Sequence, residues 1–333
     1  MKPKHTGIWG QTLIESLRKQ GISDHQIVGN TGINIRALEG EKPKIEFEHL
    51  AAFFERAAEL TGDDLIGFKH GQGRNFRLGG LIAYTGASSP TVRTLLHNLA
   101  RYQRTASDAI KINASRLNEE GIVEWHFLVE RSIVRRQYVE FDGAGILDII
   151  RRLTNRHVTP LRVEFRHFRS TNLKPISKFF GCPVDFGRDE NRITMKLADL
   201  DLPLKSADDH LYKMLRQFSE EALSKLGRNK SSIETMVDQC ISADPTKSQA
   251  DVAKEMGMSA RTLARRLTDA GTTFFSIVET HREAMAKSML ADTDMQFTEV
   301  AYVLGYNDPS TFSTAFKRWV GATPTQYRNR NAR

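Results

Sequence analysis

The sequence predicts an α+β N-terminal domain, a mixed sheet with packed helices, followed by an all-α C-terminal domain. Helix-period apolar patterns dominate the first hundred residues, and an alternating strand pattern flanks a turn at residues 118–121. A helix-turn-helix pattern then occurs twice near the C-terminus, with turn glycines Gly257 and Gly305 separated by 305 − 257 = 48 positions. The 333 residues are enough for two domains.

The N-terminal region begins with helical patterns and continues with strand patterns. Helices are predicted over residues 9–20, 47–62 and 88–107, the last capped by Ser88 or Ser89 ahead of Pro90. AIKINASRLNEEGIVEWHFLVE alternates on either side of an Asn-Glu-Glu-Gly turn, which is typical of a hairpin. A helix over 136–154, the strand LRVEFRHF, the helix ISKFFG and two short strands around VDFGRDENRITMKL follow. This order predicts a sheet covered by helices, without the run of short strands that a cupin-like barrel needs.

A helix over 206–225 and a polar segment end the N-terminal domain. One side of this helix carries apolar residues at helical spacing: Leu211, Met214, Leu215, Phe218 and Leu223. The stripe has two interpretations, a dimer seam or packing against its own domain, because it is too short to define a coiled coil. Residues 227–232 are the best linker candidate. We therefore predict one domain at 1–228 and a second at 229–333.

Each C-terminal copy pairs a short amphipathic helix, over 250–256 or 297–304, with a second helix after the turn glycine. The second helix starts at a polar cap, Ser259 in the first copy and Asn307 or Asp308 ahead of Pro309 in the second. Apolar residues then recur at spacings of three or four: Leu263, Leu267, Phe312, Phe316 and Trp319. Each second helix should bury this stripe and leave its other face free to enter DNA.

The segment FFSIVETHREAMAKSMLADT between the copies has apolar positions that allow one long connecting helix. A shared helix would fix the separation of the two units. Held side by side against one face of B-DNA, their free helices would meet successive major grooves roughly 34 Å apart.

The stretch from about Ser248 to Arg328 resembles the DNA-binding domain of the AraC/XylS family of bacterial transcription regulators. The resemblance covers both units, the connecting helix and a tail of the form G-x-T-P-x-x-Y-R, present here as Gly321, Thr323, Pro324, Tyr327 and Arg328. The resemblance implies base-reading positions at Arg261, Ala264, Arg265, Ser310 and Thr314. It implies phosphate contacts at Ser259, Thr262, Thr311, Lys317, Arg318 and Arg328.

The two copies differ at the base-reading positions. Arginine can make a bidentate contact with guanine, worth about 1–3 kcal/mol of discrimination, whereas Ser310 and Thr314 offer weaker and less selective hydrogen bonds. We therefore expect the first copy to carry most of the base specificity. The alternative for Arg261 and Arg265 is a solvated helix face or ion pairs with carboxylates such as Asp269. For the predicted phosphate-binding cations it is ordinary surface charge.

The N-terminal region resembles the effector domain of a subgroup of the same family, represented by regulators of ornithine and other catabolic pathways. The resemblance rests on RRQYVEFDGAGILDIIRRL, LRVEFRHFR and FFGCPVDFGRDENRITMKLADLDLPL, and it covers most of 12–218. A sheet with packed helices commonly leaves a cleft for a small ligand. The candidate effector contacts are Trp125, Tyr138 and Arg152, where an arginine would suit a carboxylate. Their alternative roles are a core tryptophan, a packed tyrosine ring and a solvated or ion-paired arginine.

Composition supports this assignment and excludes several classes of protein. The formal net charge of +8 and pI near 9.4 favour a polyanionic partner. The two cysteines, Cys182 and Cys240, lack the spacing of a metal site, and we expect both to be buried thiols. No segment has the pattern of a signal peptide or membrane helix, and no catalytic motif occurs. We expect a cytoplasmic protein without a cofactor, metal site or enzymatic activity.

The sequence thus predicts a bacterial transcription regulator, an activator of a metabolic or adaptive operon that responds to an unknown small-molecule effector. Its expected partners are double-stranded promoter DNA, RNA polymerase as the family resemblance implies, and a second copy of the chain in a possible homodimer. Two alternatives belong to other classes: a ligand-independent architectural DNA-binding protein, and a metabolite-binding module or enzyme with a vestigial DNA-binding domain.

Overall fold

The computed structural model describes residues 2–40, 43–130, 133–226, 233–243 and 247–331. The chain divides into two compact units. The first comprises Met1–Val129, Val134–Arg166 and Asn172–Arg228, and the second comprises Glu130–Ile133, His167–Thr171 and Asn229–Arg333. The linker predicted at 227–232 lies outside the described residues.

The first unit contains a two-stranded and a five-stranded sheet. Strands β1 (Lys4–Thr6) and β2 (Lys44–Glu46) pair antiparallel. The larger sheet has the order β3-β4-β7-β5-β6, where the strands are β3 Ile110–Asn113, β4 Ile122–Phe127, β5 Arg162–Glu164, β6 Val184–Asp185 and β7 Asn191–Thr194. Its pairs are antiparallel except for β5 with β6. The predicted mixed sheet is confirmed, and the described strands form an open sheet instead of a closed barrel.

Helices make up most of the rest of the first unit. They are Ile8–Lys19, Asp24–Val28, Ile35–Leu38, Phe47–Thr61, Ile66–Gly71, Leu81–Ala87, Val92–Tyr102, Leu117–Glu120, Arg136–Thr154, Leu173–Phe180, Leu197–Leu200 and Asp209–Lys225, with 3-10 turns at Phe76–Gly79 and Gln103–Thr105. The helices predicted near 9–20, 47–62 and 136–154 are confirmed.

One local prediction in this unit is wrong. The helix within 88–107 is capped by Thr91, whose hydroxyl accepts from the Thr94 amide, because Ser88 and Ser89 instead donate to the carbonyl of Thr85. The predicted hairpin is confirmed, because β3 and β4 pair antiparallel, and its connection holds the short helix Leu117–Glu120 before the left-handed Gly121.

The central helix, Arg136–Thr154, is held between the five-stranded sheet and the helix Ile66–Gly71. On the sheet side, a Cβ atom at Gly143 would lie 2.9 Å from the ring of Phe165. On the other side, a Cβ atom at Gly71 would lie 2.3 Å from the Phe141 carbonyl oxygen. Glycine at these two positions lets the helix make direct backbone-to-backbone and backbone-to-ring contacts.

The helix Asp209–Lys225 joins the first unit through its polar side. Ser219 hydrogen-bonds Thr85 at 2.8 Å, and the Glu220 carboxylate accepts from Tyr102 and Arg101. Its apolar residues Leu211, Met214 and Phe218 remain exposed. The stripe predicted along this helix is therefore uncovered at these three positions.

In the second unit the helices are Ile233–Ala243, Gln249–Glu255, Ala260–Asp269, Phe274–Asp292, Phe297–Val303, Pro309–Val320 and Pro324–Asn331. The predicted all-α architecture of the two helix-turn-helix units is confirmed. Ile233–Ala243 was not predicted. It contributes Val237 and Ile241 to the apolar core of the first helix-turn-helix unit.

The connecting helix, Phe274–Asp292, belongs to both helix-turn-helix units. Its first half places Phe274, Ile277 and Val278 against the core around Leu263 and Leu267. Its second half contributes the buried residues Ala286, Met289 and Leu290 to a separate core with Phe312 and Phe316. Because this one helix packs into both cores, it fixes the position of the two helix-turn-helix units relative to each other.

Two further predictions concern single residues and the membrane. Cys182 and Cys240 are both half-buried free thiols, so the expectation that both are buried is wrong. Among the described residues, no helix combines the length and apolarity needed to span a bilayer.

Candidate nucleic-acid interface

The first helix-turn-helix unit is built from caps and a left-handed turn. Ser248 and Asp251 cap the helix Gln249–Glu255 reciprocally, each accepting the other's backbone N–H. Gly257 has φ +67°, a conformation that glycine adopts without a Cβ penalty. The hydroxyl of Ser259 accepts from the Thr262 amide at 3.1 Å, which confirms the predicted cap of the next helix. The first reading helix, Ala260–Asp269, therefore starts at a defined residue.

This helix buries Leu263 and Leu267 and exposes Arg261, Ala264 and Arg265 together. In the part of the chain that the structure describes, neither guanidinium has a carboxylate within 4 Å, including that of Asp269. The ion-pair alternative for these arginines is thus not observed. Two unpaired cations and a small residue on one exposed helix face form a surface that a major groove can accept.

The second reading helix, Pro309–Val320, begins at Asp308, one of the two predicted caps. The Asp308 carboxylate accepts from the backbone amides of Ser310 and Thr311 at 2.8 and 3.1 Å and from the Thr311 hydroxyl. These hydrogen bonds, that of the Thr311 hydroxyl foremost, lower the pKa of Asp308 to about 2. The cap is therefore charged at every physiological pH.

Ser310, Thr314, Lys317 and Arg318 are all exposed on the second reading helix. An open groove of about 530 Å³ is lined by Ser313, Thr314, Lys317, Arg318 and Thr323. The Thr314 hydroxyl donates to the Ser310 carbonyl at 3.0 Å, so towards a ligand it offers lone pairs and a methyl group. This chemistry is less selective than that of the first reading helix.

The hydroxyls predicted to contact phosphate are engaged at the helix starts. Ser259 and Thr262 hydrogen-bond each other at 2.9 Å, and Thr311 donates to Asp308. At the second reading helix the backbone N–H groups of Ser310 and Thr311 also donate to Asp308, so this cap would have to rearrange before these groups could contact a phosphate.

Two of the predicted phosphate-binding cations have partners within the protein. Arg318 forms an ion pair with Glu279 of the connecting helix, whose carboxylate also accepts from the indole N–H of Trp319 at 3.4 Å. Arg328 donates to the carbonyl oxygens of Leu290 and Met295 at 3.2 and 2.6 Å. These contacts favour a structural role for Arg328, because it closes the C-terminal end of the connecting helix.

Sequence reasoning did not identify Glu279 or Arg282 as parts of this surface. The guanidinium of Arg282 lies 5.1 Å from the ring centroid of Tyr306, next to the left-handed turn at Gly305. Both residues are partly buried, and only the fold brings them to the second reading helix. No sequence spacing would have revealed the pairing of Glu279 with Arg318, 39 positions away.

The three predicted effector contacts are not brought together. Trp125 is 1% exposed in the core, and its indole nitrogen has no hydrogen-bond partner among the described residues. Tyr138 is fully buried and hydrogen-bonds His5 at 2.6 Å. Arg152 is partly exposed and forms an ion pair with Asp148 at 2.9 Å. Tyr138 and Arg152 are fourteen positions apart on one helix, roughly 21 Å along its axis, so one small ligand cannot contact both.

Comparison with known families and proteins gives matches over both units. Residues 21–204 match the family model of the arabinose-binding domain of AraC transcription regulator, N-terminal, and residues 252–330 match that of a helix-turn-helix domain. An uncharacterized HTH-type transcriptional regulator of Mycobacterium tuberculosis is 28% identical, with 96% of this chain and 95% of that protein covered.

Two further relatives are also named as regulators. The ornithine utilization regulator of Pseudomonas aeruginosa is 22% identical, with coverage of 96% and 95%. The HTH-type transcriptional regulator VirS of Mycobacterium tuberculosis is 25% identical, with coverage of 82% and 80%.

Proposed function

The chain belongs to the AraC family of transcription regulators, and we propose that it reads a promoter with two helices held in register by their connecting helix. The observation that carries this proposal is the exposed pair Arg261 and Arg265, free of carboxylate partners among the described residues. Regulators of this family bind DNA through such domains and respond to effectors through the N-terminal domain.

Arg261 and Arg265 would donate to guanine in one major groove, with Ala264 giving the helix room to approach the base edges. Ser259 and Thr262 would contact the adjacent phosphate backbone at the start of the helix. In the next major groove, Ser310 and Thr314 would make weaker base contacts. This division makes the first reading helix the main source of specificity.

Thr311, Lys317 and Arg318 would hold the second reading helix on the phosphate backbone. The shared groove of Lys317 and Arg318 supports this assignment. Arg318 would have to exchange its Glu279 partner for a phosphate. Arg328 remains the weakest of the predicted phosphate contacts, because two carbonyl oxygens already occupy its guanidinium.

The N-terminal unit would sense a small molecule and transmit its binding to the DNA-binding unit. Thermodynamically, the effector can shift DNA affinity only by its differential affinity for the DNA-bound and free arrangements. Of the contacts predicted at Trp125, Tyr138 and Arg152, Arg152 is the one whose side chain is partly exposed, since Trp125 and Tyr138 are buried. An activator of a metabolic operon in the cytoplasm, in contact with RNA polymerase, is the expected biological setting.

A homodimer is proposed through the helix Asp209–Lys225, since its Leu211, Met214 and Phe218 are exposed together. Leu211→Ser with Phe218→Ser should then convert a dimer into a monomer, whereas Leu197→Ser, at a comparably exposed leucine, should leave it intact. Light scattering coupled to gel filtration measures the mass. A monomer already in the wild type would refute the dimer.

The deciding experiment titrates full-length protein onto promoter DNA from its own genomic neighbourhood and onto a random duplex of equal length, across a salt series. Arg261→Ala with Arg265→Ala should abolish preference for the promoter. Arg266→Ala, on the same helix and equally exposed, is the matched control and should lower affinity for both duplexes alike.

Each of the alternative functions predicts a different result, one in this titration and one in cells. Equal, salt-labile binding to both duplexes would support the architectural alternative, because charge alone would then explain affinity. Unchanged gene expression in cells that carry the double arginine variant would support the vestigial alternative.

A further inference from the structure

The guanidinium of Arg74 is packed into the first unit against the central helix. Its Cζ atom lies 4.8 Å from the ring centroid of Trp9 and 4.5 Å from that of Phe141. A Cβ atom at position 145 would lie 2.5 Å from Cζ, so Gly145 makes the space that the guanidinium fills. The guanidinium cation therefore packs against two aromatic faces and a glycine of the central helix.

This buried cation is not satisfied by hydrogen bonds. The Nε and Nη1 atoms of Arg74 are buried and have no hydrogen-bond partner among the described residues. The carboxylate of Asp142 lies 3.8 Å away, which is close enough for charge attraction and too long for a hydrogen bond. Because buried N–H groups are nearly always paired with protein, water or ligand, donors left in this state indicate a missing acceptor.

The two imidazoles near the pair, those of His5 and His70, are neutral at pH 7. Burial, together with the smaller effect of the positive charge of Arg74, lowers the pKa of His70 to about 4 and that of His5 to about 3. The charge of the Arg74 guanidinium thus stands among aromatic and uncharged rings, and an ammonium group beside Asp142 would favour the charged form of that carboxyl. The side chains of Arg74 and Asp142 are 11% and 16% exposed, so part of each side chain reaches solvent.

We propose that Arg74 and Asp142 bind the head group of a small α-amino acid. Its carboxylate accepts from the Arg74 guanidinium, and its ammonium donates to Asp142. A simple carboxylate fits less well, since Asp142 would repel it. A zwitterion keeps the site neutral and gives each charge a hydrogen-bonded partner. This inference rests on the proposed function, because it assigns a ligand class to the effector-binding domain.

The test uses full-length protein and the twenty standard L-amino acids, screened by thermal shift and followed by calorimetric titration. At least one amino acid should bind and raise Tm. Arg74→Lys keeps the positive charge but loses the planar guanidinium, so it should weaken that binding at least tenfold. The control Arg77→Lys, at an exposed arginine in the 3-10 turn Phe76–Gly79, should leave the binding unchanged.

A second variant is informative even if Arg74→Lys folds poorly. Wild type should prefer the amino acid over the same acid without its amino group, and Asp142→Asn should lose that preference. Binding by none of the twenty amino acids, or equal binding by wild type and Arg74→Lys, overturns the assignment.

Promoter binding by the same preparations separates the two proposals. Specific DNA binding without any amino-acid binding overturns this site and leaves the regulator intact. Absence of specific DNA binding counts against the proposed function itself.

Discussion

Replacing Asp142 with asparagine should change how the stability of the first unit depends on pH. Burial raises the pKa of this carboxyl from 3.8 to about 7, although the charge of Arg74 acts in the opposite direction. Below pH 3.8 the carboxyl is protonated in the folded and the unfolded chain alike. As the pH rises, the unfolded chain releases this proton first, so the folded protein progressively loses stability until the pH passes about 7.

The size of the effect follows from the two pKa values. Their difference corresponds to at most about 4 kcal/mol at roughly 1.4 kcal/mol per pH unit. Roughly 2.5 kcal/mol of this falls between about pH 5 and about pH 8. Asparagine has nearly the shape of the protonated acid and does not titrate. The free energy of unfolding of Asp142→Asn minus that of the wild type should therefore increase as the pH rises across this window.

The assay is urea denaturation followed by tryptophan fluorescence at several pH values. Trp9 and Trp125 lie in the first unit and Trp319 lies in the second, so a Trp319→Phe background reports the first unit alone. Subtracting wild type from variant cancels every other titrating group. A difference that stays flat from pH 5 to pH 8, or that changes in the opposite direction, would refute the burial argument.

Three further substitutions test the packing and the DNA surface. Phe316→Ala should lower the free energy of unfolding of the second unit by about 3–5 kcal/mol, because the ring is fully buried. Trp319 fluorescence should then show unfolding of the second unit at lower urea, or no folded second unit at all, while the unfolding transition of the first unit is unchanged. Gly71→Ala should lower the stability of the first unit by about 1–3 kcal/mol, since its Cβ would meet the Phe141 carbonyl, and an unchanged denaturation midpoint would argue against that close approach. Glu279→Gln should release Arg318 and strengthen binding to promoter and random DNA alike, with a steeper salt dependence; a gain on promoter alone would contradict a phosphate role.

Local chemistry explains what the sequence predicts well. The central helix was predicted at 136–154 and found at Arg136–Thr154, because its apolar period is long and regular. Ser259 and the left-handed Gly257 and Gly305 are also confirmed, since caps and turns are decided by one or two residues. In contrast, the sequence does not show that the Ser88 and Ser89 hydroxyls donate to a carbonyl of the preceding helix instead of capping the next one.

Contacts between distant residues could not be predicted. Arg74 and Asp142 are 142 − 74 = 68 positions apart and meet only after two helices pack through glycine. Arg328 resembles a surface cation in sequence, yet it closes the connecting helix through two carbonyl oxygens. Whether a charged side chain faces solvent, a partner or a ligand is decided by the tertiary structure.

With the proposed DNA contacts, the connecting helix would set the spacing of the DNA sites that the two reading helices can reach. This helix packs into the cores of both helix-turn-helix units. Inserting one residue near its middle would therefore rotate the second helix-turn-helix unit by about 100° and advance it by about 1.5 Å relative to the first. Small insertions there would send the second reading helix away from the groove, while surface loops elsewhere could vary in length. A regulator of this design could therefore acquire a new target sequence through substitutions on the reading helices, while the connecting helix would keep the distance between half-sites unchanged.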